Sequence, residues 1–368
     1  MTAGHAAGAD LQGAGPDIVR SALQTGEPLP GTNGFAGALD GRLTRDVLGR
    51  YPLFVDADDP DAWSPDPRFL SSPEPLPAGH VGDGSGTSHV WTLPDPSPNP
   101  DETAAVEAVA AAIAERTADV SADGLAVGFS GGVDSAILAA RLDAPLYVVG
   151  FPDSHDVAAA QSAAELLDRD LTVVELDHDR LRAAIPAVAR ATGRTNAMDV
   201  SIALPLYLLA ERVSADGYDR LALGQGADEL FAGYAKVANA PEDSRVEAAT
   251  VRGARREVLG SLPDQFERDV LAVRAGGAEP VAPLVHDRIV EAALALPESL
   301  LVSTDGQRKR GLRLAAQRWL PDDMAARDKK AMQYGSLVSR EIDRLARQAG
   351  FKRRMDDHVT TYVQSLVE

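Results

Sequence analysis

GLAVGFSGGVDSAIL, residues 124–138, sets an apolar run against a loop of two glycines, two serines and an acid, then continues into a second apolar run of helical composition. Gly124–Phe129 is short, uncharged and bounded by glycine, and reads as a buried strand. Gly131 and Gly132 permit dihedrals closed to other residues and let backbone N–H groups come close to an anion. The helix start that follows adds a partial positive charge. In an open parallel sheet, ligands lie beyond the carboxyl ends of the strands, which is where the turn Ser130–Ser135 falls. The loop therefore has the physical properties of a phosphate cradle. Asp134 needs a separate account, because a carboxylate repels phosphate unless a divalent cation lies between them. One reading makes it a Mg²⁺ ligand; the other makes it a first-turn cap in a tight strand–helix connection. The loop alone does not decide between them.

Working outward, the segment TAAVEAVAAAIAERTADV (residues 103–120) is helical by composition and period. Further strands are expected at Leu146–Gly150, Leu171–Leu176 and Arg220–Gly224, with helices around Val157–Leu167 and Ser201–Ala215. That alternation implies an α/β fold with a parallel sheet covered on both faces. Beyond Tyr234 the chain reads mainly as helices, at Arg252–Leu262, Val285–Leu296, Gly311–Leu320 and Leu337–Gln348. Residues 1–100 differ in texture: Gly, Pro, Asp and Ser cluster in turns such as DADDPDAWSPDP, and periodic apolar stretches are few. A small β-rich domain fits best there, with two or three strands around the LDGR turn. Pro94–Asp101 is the expected linker to a second domain, 101–368.

The 368 residues are 45% apolar, enough for a sizeable core, and carry a net charge of −19. Such acidity argues against an extended nucleic-acid surface, though not against a local basic patch. No run of 18 apolar residues suggests a membrane span, and no signal peptide is evident, so a cytoplasmic location is expected. Arginine outnumbers lysine 31 to 5, and the acid is spread along the chain. We read this as a salt-adapted surface of haloarchaeal type, since salt screens the self-repulsion. There is no cysteine, which removes disulfides, thiolate metal sites and cysteine nucleophiles together.

The loop lacks the GK[ST] of a Walker P-loop. It resembles instead the SGGxDS PP-loop of ATP pyrophosphatases, the adenine nucleotide alpha-hydrolase-like fold. A second stretch, LGQGADELFAGYAK (residues 223–236), resembles the SGEGADELFGGY signature of asparagine synthetases. GAEPVAPLVHDRIVEAALALP is similar to the family's GLExRxPFLD segment, RKRGLRLAAQRWLP to KxxLRxA...LP, and RDKKAMQYGS to its lysine-bearing loop. The resemblance implies a PP-loop domain with added C-terminal helices that binds ATP and Mg²⁺. Ser130, Gly131, Gly132 and Ser135 would hold the β and γ phosphates; Asp134 and Asp228 would share the metal; Gly128, Val149, Leu223 and Gly224 would line the adenosine. Lys329, with Lys330 as its rival, would neutralise charge as pyrophosphate leaves. The implied partners are a small carboxylate substrate and ammonia or another amine, with a homodimer left open.

The resemblance also has gaps. GRLTRDVLGRYPLFV and the LPAGHV...VWTLPDP segment are similar to parts of the family's glutaminase domain. The nucleophilic cysteine that follows Met1 there is Thr2 here, and no glutamine-binding segment follows. The expectation is an ammonia-dependent enzyme with a degenerate amidotransferase-like region. Gln225 stands where the family has a Glu thought to help deprotonate the amine, His286 replaces the Asp of PFLD, and Leu223 replaces a Ser. Aspartate is the leading acceptor. A β-lactam synthetase-like ligase acting on another substrate, a tRNA-adenylating enzyme and a non-catalytic ATP-binding homologue are the alternatives.

Overall fold

Short strands separated by turn clusters must find partners close in sequence. The residues up to His89 do so in the computed structural model, which describes residues 11–83, 86–240, 242–327, 336–354 and 357–367. The chain opens with β1 (Leu11–Gln12), α1 (Pro16–Thr25), β2 (Ala36–Leu39), β3 (Arg42–Arg45) and β4 (Phe54–Asp56). It continues through β5 (Trp63–Ser64), β6 (Pro73–Pro75), β7 (His80–Asp83) and β8 (Gly86–His89). They form two antiparallel sheets, of order β1-β2-β3-β7-β8 and β5-β4-β6. The expected LDGR turn joins β2 to β3, with Asp40 and Gly41 both at positive φ, as a two-residue hairpin requires. Helix α1 was not expected. It buries only Val19 and Ala22, too few to show a period, yet Pro16 in its first turn and left-handed Gly26 at its end mark its limits.

From Asp101 the architecture changes. Asp101 caps α2 (Glu102–Ala118), its side chain accepting from the Ala104 amide at 3.0 Å. Then come β9 (Leu125–Gly128), α3 (Val133–Arg141), β10 (Leu146–Gly150), α4 (His155–Leu166), β11 (Leu171–Glu175), α5 (His178–Thr192) and α6 (Ala197–Ala215). They are followed by β12 (Arg220–Ala222), α7 (Ala227–Leu230), α8 (Ala235–Ala238), α9 (Val251–Leu259), α10 (Leu262–Ala275) and β13 (Glu279–Val281). Last are α11 (Asp287–Leu294), α12 (Glu298–Leu301), α13 (Arg310–Ala316), α14 (Asp322–Ala325), α15 (Val338–Gln348) and α16 (His358–Val367).

The five strands β9 to β13 form one parallel sheet of order β11-β10-β9-β12-β13. Side chains alternate between two apolar layers: Leu125, Val127, Leu146 and Val148 face one, Ala126, Tyr147 and Val149 the other. The fold is thus α/β with a parallel sheet and many helices, preceded by antiparallel sheets. β13 was not foreseen. It is three residues long and contains Pro280, which only an edge strand tolerates, and it lies at the sheet's edge. The helix expected at Arg252–Leu262 is α9, which stops at Leu259 before Gly260 and Ser261; α10, which follows with Pro263 in its first turn, lies almost wholly beyond the expected range. No described helix is long and apolar enough to cross a membrane.

The antiparallel part is fastened to the rest by buried charge. Arg50 pairs with Asp46 at 2.9 Å and Asp287 at 2.7 Å, and donates to the Val285 carbonyl at 2.8 Å. The other oxygen of Asp287 accepts from the Thr32 amide and hydroxyl at 2.7 and 3.1 Å.

Candidate active site

Strand order reverses about β9, whose neighbours β10 and β12 are reached in opposite directions, and the loops after β9 and β12 meet at that crevice. In the first loop the Ser135 hydroxyl accepts from the Ser130 amide at 3.2 Å and donates to the Gly132 carbonyl at 3.1 Å, which closes the turn. Gly131 adopts φ +73°, and a Cβ there would stand 2.7 Å from the Ala159 carbonyl, so only glycine fits. The loops touch through Gly224, where a Cβ would lie 2.8 Å from that of Asp134. Two segments about ninety residues apart in sequence are thereby pressed backbone to side chain.

Asp134 is not a first-turn cap: the N-cap of α3 is Gly132, and no side chain caps it. Its carboxylate instead meets Lys309, whose Nζ lies 2.6 Å from Asp134 Oδ2 and 2.8 Å from Asp228 Oδ1. Burial alone would lower the Lys309 ammonium, but the two carboxylates outweigh it and hold it above the ordinary lysine value. Lys309 itself takes a left-handed conformation, φ +59°, immediately before α13. Asp134 Oδ1 is buried without a hydrogen-bond partner among the described residues. A buried carboxylate oxygen held that way suits a cation. No cluster of three or more acidic or histidine side chains able to hold a metal occurs among the described residues. Asp134 and Asp228 would be the one or two carboxylates that Mg²⁺ takes, its shell being completed by phosphate oxygens and water. Arg308, Arg313 and Arg327 line a small recess of about 30 Å³ beside Gly132, Asp134, Asp228 and Lys309.

A larger cavity of about 220 Å³ shares Asp134 and Asp228 with this recess. Gly128, Ser130, Asp134, Ser135, Val149, Leu223, Gly224, Gln225 and Asp228 all line it, and Ile202, Leu206 and Leu209 of α6 supply an apolar wall. Gly132 lies in the smaller recess, while Gly131 shapes the turn from behind. The structure thus brings together every site residue expected from sequence that it describes. Lys329 and Lys330, like Thr2, lie outside the described residues.

The cavity lining also carries Glu229, Tyr234, Arg268 and Asp269. Glu229 accepts from the Tyr234 hydroxyl at 2.5 Å, and burial, reinforced by Asp228, pushes its carboxyl up to about 6. Gln225 Nε2 donates to Asp269 Oδ2 at 2.6 Å, and Arg268 Nε to Asp269 Oδ1 at 2.7 Å. His286 does not enter the cavity. Its Nδ1 accepts from the Arg288 amide at 3.1 Å and caps α11, which a shorter Asp could equally do. Sequence reasoning missed Lys309 and Asp269. The first had a signal, being one of only 5 lysines and sitting in RKRGLRLAAQRWLP; the second had none.

The profile of the asparagine synthase family matches residues 105–275 and 242–364. Over 271 residues the chain is 28% identical to a Methanocaldococcus jannaschii protein named "Putative asparagine synthetase (glutamine-hydrolyzing) 1", covering 64% of this chain and 50% of that one. It is 26% identical to asparagine synthetase B (glutamine-hydrolyzing) of Escherichia coli over 193 residues, 51% of this chain and 34% of the relative. A probable asparagine synthetase (glutamine-hydrolyzing) of Schizosaccharomyces pombe is 27% identical over 203 residues, 51% and 35% of the two chains. The match therefore spans half or less of the length of these relatives. Because the family profile takes in most of the chain, including both loops, α10 and Lys309, the protein belongs to the asparagine synthase family.

Proposed function

We propose that the protein is an ATP-dependent carbon–nitrogen ligase. It would activate a small carboxylate as an acyl-adenylate, release pyrophosphate, and pass the acyl group to ammonia, with aspartate to asparagine as the leading case. The observation that carries this is the Asp134–Lys309–Asp228 bridge across the two loops, with Asp134 Oδ1 left unpartnered at the carboxyl end of β9. Asp134 and Asp228 would hold Mg²⁺, which supplies charge neutralisation on the phosphates when bound. The Ser130–Ser135 loop would orient the β and γ phosphates, and Lys309 would donate to the departing pyrophosphate from a fixed position, so that little reorganisation accompanies bond cleavage. Val149, Leu223 and the α6 leucines would hold the adenosine and exclude water. Glu229 sets a buried acid beside Asp228 in the cavity lining, which would favour an acceptor bearing an ammonium group. Residues 1–100 would be a degenerate amidotransferase-like region, with ammonia rather than glutamine as nitrogen source and the cytoplasm as location.

The test is exchange of labelled pyrophosphate into ATP, run at high salt with a panel of carboxylic acids, followed by product analysis. AMP and pyrophosphate with formation of an amide support the reading. Stoichiometric ADP and phosphate would refute it, and binding of ATP with no exchange for any acid would mark a non-catalytic homologue.

A further inference from the structure

Gln225 occupies the position of the family's Glu, and an amide cannot accept a proton at neutral pH. Yet a carboxylate lies against it. Asp269, one α10 residue from Arg268, is buried with its residue 7% exposed, lines the same cavity as Gly224, Gln225 and Asp228, and receives Gln225 Nε2 at 2.6 Å. Its only described cationic hydrogen-bond partner is Arg268, which also donates to Asp199 at 3.0 Å and so is shared between two acids. Burying a carboxylate on half a guanidinium at a cavity wall costs stability that an apolar residue would not. At the edge of the core, away from any site, such an arrangement would have no return.

We propose that the proton-accepting carboxylate has crossed this hydrogen bond, from position 225 to position 269, so that Asp269 is the base for the amine that attacks the acyl-adenylate. This rests on the adenylation reading above. In the step, the nitrogen lone pair forms a bond to the acyl carbon, and the bond from that carbon to the AMP phosphate oxygen breaks with its electron pair leaving on AMP. One N–H proton passes to the Asp269 carboxylate and then to solvent. With ammonia the products are a primary amide, AMP and one proton. Gln225 orients Asp269 and leaves its own carbonyl oxygen to accept a hydrogen bond from the amine. The groups facing Asp269 are Arg268 on its own helix, Gln225 from the β12 loop, Arg194 from beyond α5 and Tyr234 after α7. Burial raises the Asp269 carboxyl against the pull of Arg268, Gln225 and Arg194, which moves a carboxylate toward the pH range useful to a base.

The experiment compares Asp269→Asn and the exchanged pair Gln225→Glu/Asp269→Asn with the parent. The exchanged pair keeps charge and hydrogen bond while returning the carboxylate to position 225. Pyrophosphate exchange is measured with whichever acid of the panel supports it in the parent, aspartate first, and amide formation with ammonium chloride. Asp269→Asn should still exchange pyrophosphate but lose about 100-fold or more in amide formation. The exchanged pair should recover it to within about tenfold of the parent. Amide formation by Asp269→Asn at the parent's rate would overturn the proposal. So would an exchanged pair that folds, exchanges pyrophosphate and forms no amide, or an equal loss of both steps in a folded Asp269→Asn. A parent that exchanges pyrophosphate with no acid fails the adenylation reading itself, and that result is separate from all of these.

Discussion

Replacing Lys309 with methionine removes the ammonium that bridges Asp134 and Asp228 while keeping most of the side chain's volume. At N–O separations of 2.6 and 2.8 Å, each attraction is about 6 kcal/mol in an effective dielectric of 20 before desolvation is subtracted. Taking the ammonium out of water offsets several kcal/mol of that. The Asp228 side chain is 38% exposed and its share is screened, whereas Asp134 is 8% exposed and keeps most of its own. Breaking a buried pair by removing one partner costs about 3–5 kcal/mol, and the exposure of Asp228 places the expected loss at about 3 kcal/mol. The pH dependence changes with it. In the parent, Lys309 is held above the ordinary lysine value, so its contribution is complete below about pH 10 and flat across neutrality. In Lys309→Met the two acids repel each other, their proton affinity rises, and stability should increase as pH falls from 7 toward 5. Mg²⁺ should also stabilise the variant more than the parent. Urea unfolding at pH 5, 6 and 7, with and without Mg²⁺, reads all three effects. A loss below about 1 kcal/mol at pH 7, with no added pH slope, would show that Lys309 does not balance these acids and refute the reasoning. The same variant should lose about 100-fold or more in pyrophosphate exchange.

Three further outcomes are expected. Glu229, raised to about 6 from an ordinary value of 4.5, contributes stability that is complete below pH 4.5 and is lost as pH rises through 6, about 2 kcal/mol in all; Glu229→Gln should flatten that part of the urea midpoint-versus-pH curve. Arg50→Met, which strands Asp46 and Asp287 where the antiparallel sheets meet α11, should destabilise by about 3–5 kcal/mol, measurable as a fall in the unfolding midpoint. The net charge of −19 should make the thermal midpoint climb with KCl toward molar concentration as carboxylate repulsion is screened; a midpoint independent of salt would remove the salt-adapted reading.

The parts of this molecule readable in its sequence are those whose chemistry is local. A glycine at φ +73° with a carbonyl behind it can only be glycine, so the SGGVDS loop announces itself, and β9 to β12 follow from short apolar-rich runs between helical ones. Elements defined by a distant partner gave no local signal. Glu279–Val281 is a strand because β12 pairs with it, Pro280 notwithstanding. Helix α1 reaches the core with two side chains. Helix α10 lies beyond the helix read at Arg252–Leu262, although Pro263 marks its first turn.

The site divides the same way, and the division bears on how its charges work. Asp134 and Asp228 stand in motifs, whereas Lys309 lies 175 positions from Asp134 and Asp269 lies 44 from Gln225. Sequence shows two acids beside a phosphate cradle and no reason why the ligand-free protein should tolerate them. The fold supplies the reason, with a lysine in a left-handed turn before α13 whose ammonium bridges both. It likewise sets the Asp269 carboxylate against the Gln225 amide. Each compensating group sits on a helix end or face that packs against the loops, so charge balance at the site depends on the seating of α10 and α13. Arg45 of β3 lies 3.8 Å from Glu267 on α10, and Arg50 reaches the loop before α11. The antiparallel region therefore bears on the site by holding α10 in register, a function it can keep without any glutaminase chemistry of its own.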